Sequence, residues 1–171
     1  MDEKTLLIRL GLSVLFGLLI GFERERNNKD AGATTHALVA LAAALLVIIS
    51  KEGFNHGMDD AMRAADSARV AASIIPGIGF LGAGAIIVRG DRISGLTTAA
   101  GILVTAAIGM GFGSGLYLVS CTSALLVFFV LAFTRLLDKI RHRIPPQVEI
   151  RAQSARTDSR QYDHEQDTDT L

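Results

Sequence analysis

Residues 93–134 read ISGLTTAAGILVTAAIGMGFGSGLYLVSCTSALLVFFVLAFT, 42 positions without one Asp, Glu, Lys or Arg. A helix crosses a hydrocarbon core about 30 Å thick with roughly 20 apolar residues. The run is therefore too long for one crossing and fits two joined by a tight turn, which Gly109, Gly111, Gly113 and Gly115 mark. In Leu116–Phe133 the polar side chains are Tyr117, Ser120, Thr122, Ser123 and the weakly polar Cys121, so Ala124–Phe133 is apolar on every face. A soluble bundle needs polar faces recurring near 3.6 residues, and this stretch offers none.

Outward from that run, Val70–Val88 holds 19 uncharged residues and Ala31–Ser50 holds 20, one span each. Leu10–Phe22 has only 13, but it extends to Thr5–Phe22 if the Arg9 head snorkels out to the headgroups. The resulting fold class is all-α, a polytopic membrane helix bundle with about five transmembrane helices. The spans lie near 5–22, 34–50, 69–88, 94–111 and 116–134, within a membrane domain covering 1–140. Beyond Pro145-Pro146 the chain turns to Gln, Ser, Thr, Arg and Asp. Such a composition buries too little apolar surface to offset ordering entropy, so 141–171 is expected to be a disordered cytoplasmic tail. Glu23-Arg24-Glu25-Arg26 stands where a signal peptide would have its small-residue cleavage site, so the first segment is expected to be retained.

Lys and Arg should be in excess on the cytoplasmic side. With five spans, nine of them (Arg24, Arg26, Lys29, Arg89, Arg92, Arg135, Lys139, Arg141, Arg143) fall on one side and five (Lys4, Arg9, Lys51, Arg63, Arg69) on the other. This predicts the N-terminus outside and the C-terminus cytoplasmic. The net charge of zero says nothing about nucleic acid, but no basic cluster is interleaved with aromatics as a nucleic-acid platform requires, and that class is set aside. Cys121, the one cysteine, leaves no intrachain disulfide to form.

Gly77-Ile78-Gly79-Phe80-Leu81-Gly82 matches the dinucleotide fingerprint G-x-G-x-x-G in form, but it lies inside an apolar run instead of at a strand-to-helix turn, and that context rejects it. In lipid, Gly79 and Ala83 form a small-xxx-small pair, with Gly77 and Gly84 adding positions without bulk, so the stretch reads as a helix packing seam. Pro76 removes a backbone donor near mid-depth, and a span interrupted in this way is also how transporters build solute sites. Both readings stand. Glu23 and Arg24, and Asp66 and Arg69 three residues apart, sit at span borders, where they either anchor helices at the headgroups or grip a neighbouring helix around a small polar cavity. Glu52, His56, Asp59 and Asp60 make an acidic loop, read as solvated: a few carboxylates are too common a pattern to specify Mg²⁺. No metal site, cofactor or catalytic set emerges; H-E-x-x-H, a Walker loop, G-x-S-x-G and paired cysteines are all missing.

Taken together, three blocks resemble the MgtC/SapB family of bacterial membrane proteins, over about Leu18 to Asp138. The first is Gly21-Phe22-Glu23-Arg24 with Thr35-His36-Ala37-Leu38-Val39; the second is Arg69-Val70-Ala71-Ala72 leading into Gly77-Ile78-Gly79-Phe80-Leu81-Gly82-Ala83-Gly84. The third is Gly95-Leu96-Thr97-Thr98-Ala99-Ala100 followed by Ala106-Ala107-Ile108-Gly109. The resemblance implies a multi-pass protein of a virulence-associated family, linked in several members with magnesium homeostasis, stress adaptation and survival in host cells, and without a settled biochemical activity. Departures from the family pattern are Thr34 in place of Arg, Ser73 in place of Gln, Pro76 in place of a small polar residue and Leu103 in place of Trp. Longer relatives carry a folded cytoplasmic domain after the last span, for which the polar tail has too few apolar residues.

The expectation is a non-enzymatic factor in adaptation to low magnesium or related ion stress, with a small ion or solute transporter using the Pro76-interrupted span as the alternative. Beside the lipid bilayer, its expected partners are a second copy in a homodimer and a larger membrane protein complex. The candidate residues, as family motif, helix packing or polar site, are Glu23, Arg24, Thr35, His36, Asp66, Arg69, Pro76, Gly77, Gly79, Gly82, Gly84, Gly95, Thr97 and Thr98.

Overall fold

The computed structural model of the protein describes residues 2–52, 60–89 and 92–141; at 60–64, 66–67, 89, 92 and 136–141 it describes the backbone alone. Five helices follow one another: α1 (Glu3–Arg26), α2 (Ala33–Glu52), α3 (Asp60–Gly84), α4 (Leu96–Ser114) and α5 (Tyr117–Arg141). A two-stranded antiparallel hairpin, β1 (Ile87–Arg89) with β2 (Arg92–Ser94), joins α3 to α4. The chain divides into a unit of Met1–Leu131 and a second of Ala132–Leu171, of which the described part is the end of α5. The predicted tail from 142 onward, and His56 and Asp59 of the acidic loop, lie outside the described residues.

The protein is an all-α membrane helix bundle. Four helical stretches, Glu3–Arg26, Ala33–Glu52, Leu96–Ser114 and Tyr117–Arg135, are long and apolar enough to cross a bilayer. The span predicted over 69–88 falls on α3, whose apolar part, Ala68–Gly84, has 17 residues. It stops at Gly84 because the chain next enters the hairpin, with Ile87 opposite Ser94 and Val88 opposite Ile93.

The turn between the last two helices is tighter than the glycine string suggested. Only Gly115 reverses the chain: it takes the left-handed φ of 84° and its N–H donates to the Gly111 and Phe112 carbonyls, closing α4. Gly109, Gly111 and Gly113 are ordinary helical residues of α4.

Helix direction alternates along the chain. Gly17 and Gly21 of α1 lie against Ala37 and Ala33 of α2, an antiparallel crossing, whereas Gly109 and Gly113 of α4 climb in step with Ala40 and Ala44, a parallel one. Gly82 of α3 meets Ala99 near the start of α4. Ile74 and Ile78 share an apolar cluster with Val39, Ala43 and Val47 of α2 and Ile102 and Ala106 of α4. A second cluster joins Ile20, Ile108, Phe112, Ala124 and Leu131, with Phe16 stacked on Phe112 at a ring separation of 5.2 Å. On α5, Leu118 is 82% exposed and Leu125 66%, as befits a lipid-facing helix.

Candidate functional site

Lipid tails are as apolar as the side chains, so helices in a bilayer hold together by close packing and interhelical hydrogen bonds, not by a hydrophobic driving force. Close packing here centres on α2. A Cβ added to Gly21 would lie 2.5 Å from the Ala33 Cα; one on Gly17, 2.7 Å from the His36 carbonyl oxygen; one on Gly113, 2.5 Å from the Ala44 carbonyl oxygen. A Cβ on Gly109 would collide with the Ala40 carbonyl. Two G-x-x-x-G stripes, 17/21 and 109/113, thus clamp α2 from either side, and backbone meets backbone along both.

The glycines read from sequence as a seam are placed elsewhere. Gly77, Gly79 and Gly84 are exposed with nothing within 4 Å of where a Cβ would be, while Gly82 makes only ordinary contact with Ala99 at 3.6 Å. Pro76 lies within α3, also exposed, beside exposed Ile75, Phe80 and Leu81. An apolar crevice of about 290 Å³ beside this stretch is walled by Ile74, Ile75, Ile78, Leu103, Ala106, Ala107 and Met110, and Pro76 is not part of its lining.

Polar side chains gather at the end of the bundle where α1 finishes and α2 and α4 begin. Arg24 is 3% exposed and its Nη2 donates to Thr98 Oγ1 at 3.3 Å. Its Nε has no partner among the described residues. Glu23, also buried, has one carboxylate oxygen held by the Asn27 amide and the other unpartnered. His36 is fully buried, with Nδ1 3.0 Å from the Gly32 carbonyl, which makes Nδ1–H the donor and leaves Nε2 as a free acceptor. Nε2 lies 3.3 Å from where Gly101 would carry a Cβ. Thr98, Gly101 and Thr105 share one face of α4 by their spacing, and the Thr105 hydroxyl is buried and unpartnered too. Glu25 on the exposed side caps α2 by accepting from the Ala33 N–H at 3.1 Å.

Gly95 enters α4 with φ of 87°, and a Cβ there would overlap the Ala85 carbonyl, so the hairpin closes onto the helix only with glycine at that position. Thr35 and Thr97 are exposed. Arg69 is exposed and takes part in an interaction, and the Asp66 side chain lies outside the described residues. Among the described residues, no group of three or more His, Cys, Asp or Glu could hold a metal ion.

The other end carries a feature the sequence reading missed. Arg9 reaches the α4–α5 turn: its Nη1 donates to the Gly113 carbonyl at 2.8 Å, its Nε to the Tyr117 hydroxyl at 3.3 Å, and its guanidinium lies 6.0 Å from the Tyr117 ring centre. Lys51 Nζ donates to the Ser114 carbonyl at 3.3 Å. Two cations from α1 and α2 therefore meet the free carbonyls at the C-terminus of α4, where the helix dipole favours positive charge.

The MgtC family model matches residues 10–140. YhiD of Escherichia coli (strain K12) is 44% identical over 125 residues, covering 73% of this chain and 58% of that protein. SapB of Bacillus subtilis (strain 168) is 36% identical over 132 residues, 77% and 57%. MgtC of Brucella abortus (strain 2308) is 39% identical over 128 residues, 74% and 50%. The chain thus matches between half and three-fifths of the length of these relatives, and no solved structure matches it at a significant level. The matched segment, 10–140, takes in the glycine clamp and the polar end, and with the family model covering most of its length the chain belongs to the MgtC family.

Proposed function

We propose that the protein is a non-enzymatic factor of the bacterial inner membrane in adaptation to low magnesium or related ion stress, acting through contacts with a membrane partner. YhiD carries a name tied to magnesium transport, and family membership brings that theme to this chain. The observation that carries the choice of contact over conduction is the bare face of α3. Pro76, Gly77 and Gly79 are exposed, and among the described residues nothing stands within 4 Å of where Gly77 or Gly79 would carry a Cβ, while the close helix crossings at Gly17, Gly21, Gly109 and Gly113 lie between α1, α2 and α4. Small residues on an open membrane helix let another backbone approach closely, and Pro76, inside α3, is exposed beside them. The N-terminus is placed outside and the C-terminus in the cytoplasm, from the excess of Lys and Arg on the side of Arg24, Arg26, Lys29, Arg89 and Arg92.

The test compares Gly79→Leu with the native chain. A strain that depends on this gene for growth at limiting magnesium should lose growth with Gly79→Leu although the variant reaches the membrane in normal amount, and proteoliposomes of the native chain should show no Mg²⁺ flux above empty vesicles. Mg²⁺ flux that disappears with Gly79→Leu would overturn the contact reading in favour of a transporter.

A further inference from the structure

A guanidinium buried at the end of a membrane bundle needs a counter-charge, because several kcal/mol of hydration is given up on burial. Arg24 is 3% exposed, and the one hydrogen bond it makes among the described residues is to a neutral hydroxyl, Thr98 Oγ1. Its Nε donor is buried and unused. Glu23 precedes it and acts on it through charge, but one oxygen of the Glu23 carboxylate is held by Asn27 and the other is buried without a hydrogen-bond partner, so neither accepts a hydrogen bond from the Arg24 guanidinium.

Thr98 stands in the first turn of α4, which places the guanidinium at that helix's N-terminus. Gly95, its N-cap residue, has no side chain to cap with, so the first-turn N–H groups, including those of Leu96 and Thr97, get no help from it. Helix N-termini carry partial positive charge and present donors to anions. His36 completes the arrangement from α2: its Nε2 is buried, unpartnered and turned to the same face of α4, at Gly101 one turn on from Thr98. An acceptor at Nε2 suits an acid O–H, and donors at Arg24 and the α4 first turn suit the ionised oxygens.

We propose that this end of the bundle binds an oxyanion of the phosphate class that still carries one O–H, a phosphate monoester headgroup such as that of phosphatidic acid or free hydrogen phosphate. Arg24 Nε and the N–H groups of Leu96 and Thr97 donate to its charged oxygens; His36 Nε2 accepts its remaining proton. The inference is independent of the magnesium reading, since neither the anion nor its ligands enter that argument.

The full-length chain in detergent micelles is titrated with inorganic phosphate while thermal unfolding is followed, with sodium chloride at matched ionic strength as control. The chain in nanodiscs is then exposed to vesicles of phosphatidylcholine with one-fifth phosphatidic acid, and to pure phosphatidylcholine vesicles, and retained lipid is measured. Saturable stabilisation by phosphate beyond chloride identifies the free anion; selective retention of phosphatidic acid identifies the headgroup. Either should weaken at least about tenfold in Arg24→Gln, since charge-assisted hydrogen bonds are among the stronger ones. Should Arg24→Gln fail to fold, Thr98→Val, which loosens the guanidinium, and Gly101→Ala, which crowds His36 Nε2, carry the same test with the charge retained. Response to neither probe, or a response that the folded variants leave unchanged, overturns the proposal.

Discussion

Replacing Gly113 with Ala adds one methyl group at a place where it has nowhere to go. The new Cβ lies 2.5 Å from the Ala44 carbonyl oxygen and 2.9 Å from its Cα, so reaching an ordinary 3.4 Å contact requires α2 and α4 to part by about 0.9 Å. The obstructing atoms are backbone, and no rotamer change relieves them. Overpacking of this kind costs about 1–3 kcal/mol, and rigid atoms on both sides put this site at the upper end. Alanine's better helix propensity returns about 1 kcal/mol, leaving a net loss of about 2 kcal/mol. Gly79→Ala is the matched control: nothing stands within 4 Å, so the propensity gain of about 1 kcal/mol is unopposed. Unfolding by SDS titration in mixed micelles should therefore separate the two variants by about 3 kcal/mol, with Gly113→Ala below the native chain and Gly79→Ala at or above it. Because Gly109 lies one turn away on the same seam, the double variant Gly109→Ala, Gly113→Ala should cost less than the sum of the singles, one separation relieving both. If Gly113→Ala proved as stable as Gly79→Ala, the assignment of the seam to α2 and α4 would be wrong.

Arg9→Met keeps the length of the side chain and removes its donors to Gly113 and Tyr117, so it should destabilise by about 2 kcal/mol in the same titration, while Lys51→Met, losing a longer 3.3 Å bond, should cost less. If Arg9 instead reached the headgroups, Arg9→Met would be close to neutral. Gly95→Ala meets both a left-handed backbone and the Ala85 carbonyl, and is expected to cost more than 2 kcal/mol, on the order of the strain at a special backbone position plus a collision. Its signature should be faster proteolysis at the hairpin than in the native chain; unchanged cleavage there would refute the closure role of Gly95.

What the sequence alone determined is the kind of solvent the chain lives in and how many times it turns back. Both follow from the length of charge-free runs, a local property, which placed four of the long apolar helices within a few residues of their ends. The polar end was half legible: Glu23, Arg24, His36 and Thr98 lie in the motif blocks, but Arg24 reaches Thr98, 74 positions on, and His36 reaches Gly101 only through the packing of α1, α2 and α4. Which glycines are seams could be settled only by the tertiary structure. A glycine states that no Cβ is present, and the sequence cannot say whether backbone or nothing occupies the vacated space. Gly17, Gly21, Gly109 and Gly113 had the same spacing signal as Gly79 and Ala83, and the fold filled the first set and left the second open. Arg9 followed the same logic: a cation near a span end can reach outward to headgroups or inward to a helix terminus, and the arrival of the α4 carbonyls beside it decided the direction.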